Sequence, residues 1–446
     1  MKRPLLYKLL AIGTLMLVLL IPLAMIGNSI EERQAYSESV IQEIARSSSY
    51  SQTLIGPVLT VPYTRIKRTW KLNQDKERIA HEEEISGELH FLPHLLRIDG
   101  DMKTELRQRG IYKAQLYQAN TRIDGNFQVP ANFGIEEDLQ DYQFGTAYLA
   151  LGVSDIRGIQ NSLHLEWNKQ TLSAEPGSRL AILGDGVHIK LGKLTPDQHY
   201  TFALNLLLRG TQQLSIAPLG RETHVSLSSD WPHPSFVGDF LPAERQVDQH
   251  GFSARWQTSY FSTNLAEHFR QCAARVECHS YHQARFGVSL IDPVNHYVKS
   301  DRAIKYGFLF IALTFAGFFL FEILKRLQVH PIQYGLVGLA LAIFYLLLVS
   351  LSEHIGFALA YLISAIGCVS LIGFYVSHVL QSLSRAAGFT GGLALLYALL
   401  YGLLSAEDYA LLMGSLLIFA LLGGFMALTR RVDWYTLGAE KPTAVS

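Results

Sequence analysis

The sequence has little cysteine and no excess charge of either sign. Its 446 residues contain only 3 cysteines, and 38 lysines and arginines balance 38 aspartates and glutamates. So few cysteines do not form a disulfide framework. Binding of nucleic acid requires a clustered basic surface, so the balanced charge argues against a nucleic-acid partner.

Charged residues are also scarce after residue 306, where the chain is mostly Leu, Ala, Phe, Gly and Ile. Before that point, charged and polar residues are spread over a long segment. This segregation predicts a water-soluble part followed by a part that dissolves in lipid.

Apolar runs approach the length of about 20 residues that a helix needs to cross the hydrocarbon core of a bilayer. The first, Leu9–Ile26, follows Lys2, Arg3 and Lys8 and has no Ala-x-Ala site after it. We therefore interpret it as an uncleaved anchor rather than a signal peptide. The other runs are Tyr306–Ile323, Ile332–Leu351, Ile355–Val376, Ala386–Leu404 and Tyr409–Leu428.

Short connections predict that the five later helices pack as antiparallel neighbours. Glycines recur on them and predict close contacts between helices, because a glycine lets two backbones approach in lipid. These glycines are Gly335, Gly338, Gly391, Gly392, Gly414, Gly423 and Gly424.

The short loops alternate in charge along the chain. Lysine and arginine occur before the first run, at Lys325-Arg326, at Arg385 and at Arg430-Arg431. The intervening loops, Ser352–His354 and Ala406–Asp408, have neither. Because cytoplasmic loops carry the Lys/Arg excess, this pattern predicts a bacterial inner-membrane protein with both termini in the cytoplasm and the long segment after the first helix exported.

The predicted fold is a mixed membrane protein with six transmembrane α-helices (1 + 5) and a large, mostly-β extracytoplasmic domain. Its predicted divisions are an anchor at 1–28, a periplasmic β-rich domain at 29–305, a five-helix bundle at 306–428 and a cytoplasmic tail at 429–446. Ser29–Ser49 is predicted as an amphipathic helix. Alternation of apolar and polar residues, as in Val58–Pro62, then predicts a β-sandwich or a related fold, either as one unit or as two with a seam near 125–140.

Catalytic motifs are absent from the sequence. It has neither a Gly-x-Ser-x-Gly elbow nor a His-Glu-x-x-His pair, and Gly186–Leu194 has the wrong spacing for a phosphate loop. His90 and His94 have helical spacing for a shared metal, but Pro93 and the strand-like context break that geometry. We expect no enzymatic activity, no cofactor and no metal site.

The cysteines offer two interpretations. Cys272 and Cys278, six residues apart, form either one small disulfide loop or two unpaired thiols. With His279 and His282 they resemble a zinc cluster, but the spacing matches no strong template. Cys368 lies in an apolar run and is expected to pack as a small hydrophobe.

The most unusual polar stretch is Asp230–Pro242, which reads DWPHPSFVGDFLP. Its prolines restrict the backbone around His233. A rigid turn that presents His233, Ser235 and Asp239 beside Trp231 is a candidate binding or catalytic site. The favoured alternative is a rigid corner whose aromatic residues fill the core.

In the bundle, the ionisable groups near lipid are Glu322, Glu353, His354, Glu407 and Asp408. Two hairpins that place Ser near Glu plus His or Asp indicate either a duplicated unit or two ordinary polar turns. A transporter usually needs charges deeper in the membrane. Transport or lipid handling by the bundle, with Glu353 and His354 as candidate residues, is therefore the alternative function.

Several segments together resemble the CreD family of bacterial inner-membrane proteins, nearly from end to end. They are Gly56-Pro57, Gly110–Tyr112, Gly158-Ile159, Ser229–Pro242, Gly251–Thr258, Asp301–Ala303, His330–Gly335, Leu351–Ile355 and Thr429–Tyr435. The resemblance implies a place in cell-envelope integrity, expression under the CreBC two-component system, and links to colicin tolerance and β-lactam response. It implies no established reaction and no catalytic residues.

The favoured function is therefore a non-enzymatic envelope protein. Its partners are the lipid bilayer and, for the exported domain, an envelope component or protein. The alternatives are the transporter or lipid-handling protein and, last, an exported hydrolase that uses the His233 region.

Overall fold

The computed structural model describes residues 3–72, 78–263, 269, 285–290, 296–325, 329–380, 382–405 and 410–430. The chain divides into two compact units. The helical unit comprises Met1–Glu38 and Val294–Ser446, and the β unit comprises Ser39–Pro293. The predicted divisions at 28/29 and 305/306, between the anchor, the periplasmic domain and the bundle, stay predictions.

The first helix, α1 (Arg3–Ser47), is one element of 45 residues. The predicted amphipathic helix at Ser29–Ser49 is the continuation of the anchor. Gly27 and Asn28 do not end the helix, because the residues that follow are good helix formers such as Glu, Gln and Ala. Ile30, Val40 and Ile44 are buried along this continuation.

Seventeen strands among the described residues form two sheets. Sheet A contains β1 (Gln52–Leu72), β2 (Arg78–Phe91), β5 (Tyr142–Phe144), β6 (Ala147–Val153), β9 (Glu175–Pro176), β10 (Gly186–Gly192), β12 (Gln213–Ala217), β14 (Pro234–Gly238) and β17 (Phe286–Leu290). Sheet B contains β3 (Leu95–Arg109), β4 (Tyr112–Val129), β7 (His164–Trp167), β8 (Gln170–Ser173), β11 (Gln198–Thr211), β13 (Glu222–Ser229), β15 (Glu244–Asp248) and β16 (Gly251–Ser259).

The strand order in sheet A is β14-β17-β12-β1-β6-β10-β9, with β2 and β5 also paired to β1. In sheet B it is β15-β16-β13-β3-β4-β11-β7-β8. Two neighbouring pairs are parallel, β1 with β12 and β3 with β13. The other pairings are antiparallel, as hairpins between successive strands favour.

The two sheets share one hydrophobic core. Side chains from sheet A, such as Leu59 and Leu149, join side chains from sheet B, such as Ile98, Phe127 and Leu206, in a single buried cluster. This is the packing of a sandwich. The sequence left open a seam between two sub-domains near 125–140. β4 pairs with β11 up to Val129, and Ser39–Pro293 forms one compact unit.

A second, smaller cluster covers the opposite side of sheet A. It includes Ile55, Val58, Tyr148, Ala150 and Phe269. Since Tyr148 and Ala150 alternate with Leu149 and Leu151, β6 is buried on both faces, which explains why all seven of its residues are buried.

A four-residue helix, α2 (Tyr260–Thr263), follows β16. The helical unit then contains α3 (His296–Lys305), α4 (Gly307–Lys325), α5 (Pro331–Ile355), α6 (Phe357–Val379), α7 (Leu383–Ser405) and α8 (Ala410–Thr429). Among the described residues, α1, α5, α6 and α7 are long and apolar enough to cross a membrane, and α3 with α4, bent by 44°, makes up to five spans. The apolar stretch of α8, Leu412–Gly424, is shorter.

Helix boundaries in the bundle follow local chemistry. His330 caps α5, and Pro331 occupies its first turn, where a missing N–H costs nothing. Gly356 adopts a φ of +79° between α5 and α6. Ile355 therefore ends α5, although the sequence pattern placed it at the beginning of the next helix.

Only some of the glycines mediate helix contacts. Gly335 and Gly338 face Leu15 and Leu19 of α1. At Gly391, Gly392, Gly423 and Gly424, an added Cβ would meet no atom of the described residues within 4 Å. The predicted close approach of neighbouring helices therefore holds at the two glycines of α5. At the other four glycines, no described atom lies close enough for such a contact.

Candidate binding surface

One polar surface runs across six strands of sheet B. The cross-strand register aligns Asn205, Arg122, Asp99, Ser226, Arg255 and Glu244 in one row. A neighbouring row aligns Asp124, Arg97, His224 and Gln257. We call these two rows, with Asp101, Asn120 and Ser228, the polar face.

Strand periodicity produces this face. In β3, Leu96, Ile98 and Met102 point into the core, and the residues between them, Arg97 and Asp99, are exposed. β13 alternates in the same way, with Val225 and Leu227 buried. Since successive side chains point to opposite sides of a sheet, the apolar residues that hold the sandwich together also fix the polar ones outside it.

Two adjoining cavities lie on the polar face. The first, of about 410 Å³, is lined by residues that include Arg97, His224 and Glu244. The second, of about 490 Å³, is lined by residues that include Asp101 and Arg122. Asp99 and Ser226 line both. Their volumes lie within the range of about 300–1,000 Å³ that is usual for ligand sites.

Several charges on this face are already paired. Arg122 lies 3.4 Å from Asp124, Arg255 lies 3.1 Å from Glu244, and the Ser228 hydroxyl donates to Asp101 at 2.9 Å. The side chains of Arg97, Asp99 and His224 make no hydrogen bond or ion pair with other described residues. A cation, an anion and an imidazole therefore face the same cavity without a side-chain partner among the described residues.

A second polar network lies on the outer side of sheet A. The Tyr148 hydroxyl donates to Glu88 at 3.0 Å, and Thr60 lies 3.2 Å from His90 Nδ1. Burial raises the pKa of Tyr148, and the adjacent Glu88 carboxylate raises it further. Burial lowers the pKa of His90, against the opposing effect of Glu88. These shifts favour neutral Tyr148 and His90, so the network is a set of satisfied hydrogen bonds that joins β1, β2 and β6.

The predicted Asp230–Pro242 stretch forms a corner of the β unit. The indole of Trp231 donates to the His233 carbonyl at 3.1 Å, and Asp230 accepts from the Thr104 hydroxyl at 2.9 Å. Phe236 and Phe240 pack against the core. Phe236 contacts Trp256 with ring centroids 5.8 Å apart.

The polar residues of that corner are spread along it. His233 is exposed, Ser235 lies in β14 opposite Ser289, and the Asp239 N–H donates to the Arg285 carbonyl at 2.9 Å. Within the described residues, no hydrogen bond or ion pair joins the side chains of His233, Ser235 and Asp239. Their role in binding or catalysis stays a prediction.

The structure places the bundle residues Glu353 and Glu322 in separate networks. Glu353 accepts from the Tyr297 hydroxyl at 3.0 Å and lies 3.7 Å from Arg33. Glu322 accepts from the Tyr334 hydroxyl at 2.9 Å and pairs with Lys8. His354 is exposed. Glu407 and Asp408 lie outside the described residues.

The remaining predictions concern the Cys272–His282 cluster, the apparent phosphate loop and metal binding. Cys272, Cys278, His279 and His282 lie outside the described residues, so their pairing stays open. Gly186–Gly192 of the apparent phosphate loop is strand β10. Across the part of the chain that the structure describes, no group of three or more His, Cys, Asp or Glu side chains is placed to hold a metal ion.

Sequence reasoning missed the polar face. Its signal was present in the alternation of β3 and β13, where each polar residue stands between two buried ones. The parallel pairing of these two strands, separated by more than a hundred residues, is what brings Arg97 beside His224. No local pattern indicates that pairing.

Comparisons with known proteins identify the family. The model of the family described as inner membrane protein CreD matches residues 4–435. The inner membrane protein CreD of Escherichia coli (strain K12) is 37% identical over 446 residues, which cover 100% of this chain and 97% of the relative.

Among solved structures, a proposed nutrient binding protein from Legionella pneumophila aligns with 50% of this chain and 75% of its own, at 8% identity and a TM-score of 0.25. A similarity at that TM-score carries no argument about fold or function. The family match and the full-length relative agree, and this chain belongs to the CreD family of inner membrane proteins.

Proposed function

We propose that this chain is a six-span inner-membrane protein that holds its β unit in the periplasm, where the polar face binds a polar component of the cell envelope and so supports envelope integrity. The β unit binds and does not catalyse a reaction. The observation that carries the proposal is the group of Arg97, Asp99 and His224, which face one cavity without partners among the described residues.

The ligand class follows from the charges. Arg97 offers bidentate donors to a carboxylate or phosphate. Asp99 accepts hydrogen bonds from hydroxyl or ammonium groups, and Ser226 and Gln257 offer hydroxyl and amide groups in the same cavity. A ligand with both anionic and hydroxyl or ammonium groups, such as an envelope polymer of sugars and short peptides, fits this set.

The proposed orientation is supported inside the helical unit. Lys8 near the beginning of α1 meets Glu322 near the end of α4 and the Val329 carbonyl just before α5. Arg33 further along α1 meets Glu353 at the end of α5. Lys8 therefore lies at the end of the helical unit where α4 ends, as the basic-loop pattern requires for a cytoplasmic N-terminus.

Labelling in intact cells tests the orientation. In a variant without the three natural cysteines, we expect Ser253→Cys, at an exposed position of β16, to react with a membrane-impermeant maleimide. Arg430→Cys is expected to react only after the cells are permeabilised. Reaction of Arg430→Cys in intact cells would reverse the proposed topology.

Photocrosslinking in cells tests the binding face. A photoreactive amino acid at position 97 or 224 of the full chain is expected to capture an envelope component. The matched control is position 83, where Glu83 is exposed on the β2 hairpin away from the polar face. Equal capture from all three positions, or capture from none, would contradict binding at the polar face.

Complementation connects the face to the function. In a deletion strain sensitised to detergent, Arg97→Gln/Asp99→Asn is expected to fail to restore resistance, whereas Glu83→Gln restores it. Both variants must accumulate to the same level in the membrane. Full resistance with the double variant would separate the polar face from envelope integrity.

The alternative of transport through the bundle gains no support from its ionisable residues. The cavity within the helical unit is lined by none of Glu322, Glu353 and His354. Glu322 and Glu353 are instead engaged with Lys8 and Arg33, at two distant points of α1.

A further inference from the structure

A cavity of about 610 Å³ lies between α4, α7 and α8. Its lining is apolar apart from Thr314, whose hydroxyl donates to the Phe310 carbonyl at 2.8 Å within its own helix. We call this cavity the apolar groove. Within the described lining, the Thr314 oxygen is the one side-chain group that can still accept a hydrogen bond, which is fewer partners than a buried water needs.

Glycines create the groove. Gly317 of α4, Gly388 and Gly392 of α7, and Gly424 of α8 all line it, and an added Cβ at each would meet no described atom within 4 Å. In membrane helices, glycine usually lets two helices touch. Here the missing side chains leave open volume instead of a contact.

Hydrocarbon is the occupant that fits this volume. Water needs two to four polar partners, which the lining does not offer. An empty space would forfeit the dispersion contacts of its walls. The C-terminal residues after Arg430 include Arg431, Asp433, Glu440 and Lys441 and are too polar to enter hydrocarbon.

Basic residues lie next to one end of the groove in the chain, at Lys325 and Arg385. Ring contacts join Phe321 to Phe389 and Phe310 to Tyr397, so α4 and α7 run antiparallel. The end of α4, at Lys325, therefore meets the beginning of α7. Arg385 lies three residues, about one helical turn, before Gly388 and makes no ion pair with the described residues.

We propose that the apolar groove binds one acyl chain of an anionic phospholipid, with the lipid phosphate at Arg385. The groove holds this lipid as a fixed part of the helical unit. The proposal is independent of the ligand of the polar face, so either can fail without the other.

The test uses the full chain in nanodiscs of phosphatidylethanolamine that contain a phosphatidylglycerol analogue with a photoreactive acyl chain. After irradiation, adducts are expected on peptides of α4 and α7. Gly388→Leu/Gly392→Leu adds two apolar side chains at positions where a Cβ meets no described atom within 4 Å, and the adduct yield is expected to fall at least fivefold. The matched control is Gly367→Leu on α6, which also has no described atom within 4 Å and lies outside the groove.

The headgroup has its own test. Arg385→Gln is expected to remove the preference for the phosphatidylglycerol analogue over a phosphatidylcholine analogue with the same photoreactive chain. Thermal unfolding of each variant checks that the bundle is intact. Loss of the preference in Gly367→Leu as well would contradict a role for Arg385.

Two outcomes would overturn the proposal. Equal adduct yields in the groove-filled variant and in Gly367→Leu would mean that the lipid labels the helix surface in general. Crosslinks between two chains that disappear in Gly388→Leu/Gly392→Leu, with no lipid adduct, would mean that a second copy occupies the groove.

Discussion

Lys8 and Glu322, 314 residues apart in the chain, form an ion pair inside the helical unit. Glu322 also accepts from the Val329 N–H at 3.2 Å and from the Tyr334 hydroxyl at 2.9 Å. Arg33 and Glu353 form a second ion pair 25 residues further along α1. The part of α1 up to Glu38 is therefore held at two distant points and belongs to the helical unit, whereas the sequence predicted an anchor at 1–28.

Removing Lys8 should destabilise the bundle. Lys8→Met leaves Glu322 charged and largely buried, and we expect a loss of about 3 kcal/mol in the free energy of unfolding. In Lys8→Met/Glu322→Gln, no charge is left, and most of that loss should be recovered. Thermal unfolding in detergent measures both.

The control for this pair is Lys305→Met. Lys305 is 2.7 Å from Asp301, but the Lys305 side chain is exposed and that of Asp301 is partly exposed, so a change of less than about 0.5 kcal/mol is expected. If the double variant is as unstable as Lys8→Met alone, the unpaired charge is not the cause.

Asp155 should make the β unit sensitive to acid. The side chain of Arg157 holds the pKa of Asp155 below its ordinary value, and the N–H groups of Tyr50 and Arg157 assist against the opposing effect of burial. Because the folded pKa is lowered, this stabilisation is complete above the unfolded pKa of about 3.9 and is lost as the pH falls through the lower folded value.

Asp155→Asn tests this assignment. The variant should be less stable than the natural chain at pH 7, and the difference should shrink towards pH 2. Urea unfolding followed by tryptophan fluorescence measures it, since four of the five tryptophans lie in the β unit. Asp248→Asn, at the exposed end of β15, is the control; an equal pH response in both variants would contradict the assignment.

Gly251 should not tolerate a side chain. Its φ is +144°, and an added Cβ would collide with the Ser229 carbonyl oxygen in the neighbouring strand. We expect Gly251→Ala to cost about 3 kcal/mol or more, measured by urea unfolding.

The matched control is Gly177→Ala. Gly177 has a φ of +89° and no described atom within 4 Å of an added Cβ, so only the backbone strain of about 1–2 kcal/mol is expected. Equal losses in the two variants would mean that the collision contributes nothing.

The corner at Asp230–Pro242 should depend on its aromatic packing and not on His233. The Trp256 indole donates to the Phe240 carbonyl at 3.1 Å and stacks on Phe286. Trp256→Ala should cost about 3–5 kcal/mol, whereas His233→Ala should change stability by less than about 0.5 kcal/mol. Thermal unfolding followed by circular dichroism measures both, and a large loss in His233→Ala would contradict this view.

Patterns within a single element were readable from the sequence, and partnerships between distant elements were not. Hydropathy placed the bundle helices within a few residues, because a membrane imposes a length and a composition on each. It did not show that Arg33 meets Glu353, since this contact depends on how helices pack. The predicted glycine contacts were right at Gly338 and absent at Gly392, because a glycine permits a close approach without specifying which neighbour takes it.

The polar face shows the same difference between patterns within one strand, which can be predicted, and contacts between distant strands, which cannot. Alternation in β3 predicts which residues face away from the core, so Arg97 and Asp99 could have been recognised as outward-facing. Their meeting with His224 depends on the parallel pairing with β13. The aromatic interior of the Trp231 corner, by contrast, was the favoured interpretation, because bulky apolar residues in a proline-rich turn have few other places to pack.

The parallel pairing of β1 with β12 joins two strands that are synthesised at very different times. Gln52 pairs with Leu214, so the first strand of sheet A is made long before its neighbour exists. At about 5–20 residues per second, the wait is on the order of 10–30 seconds. During that interval the edge of Gln52–Ile55 that later pairs with β12 has no strand beside it, and the nascent protein depends on whatever shields that edge until β12 has been synthesised.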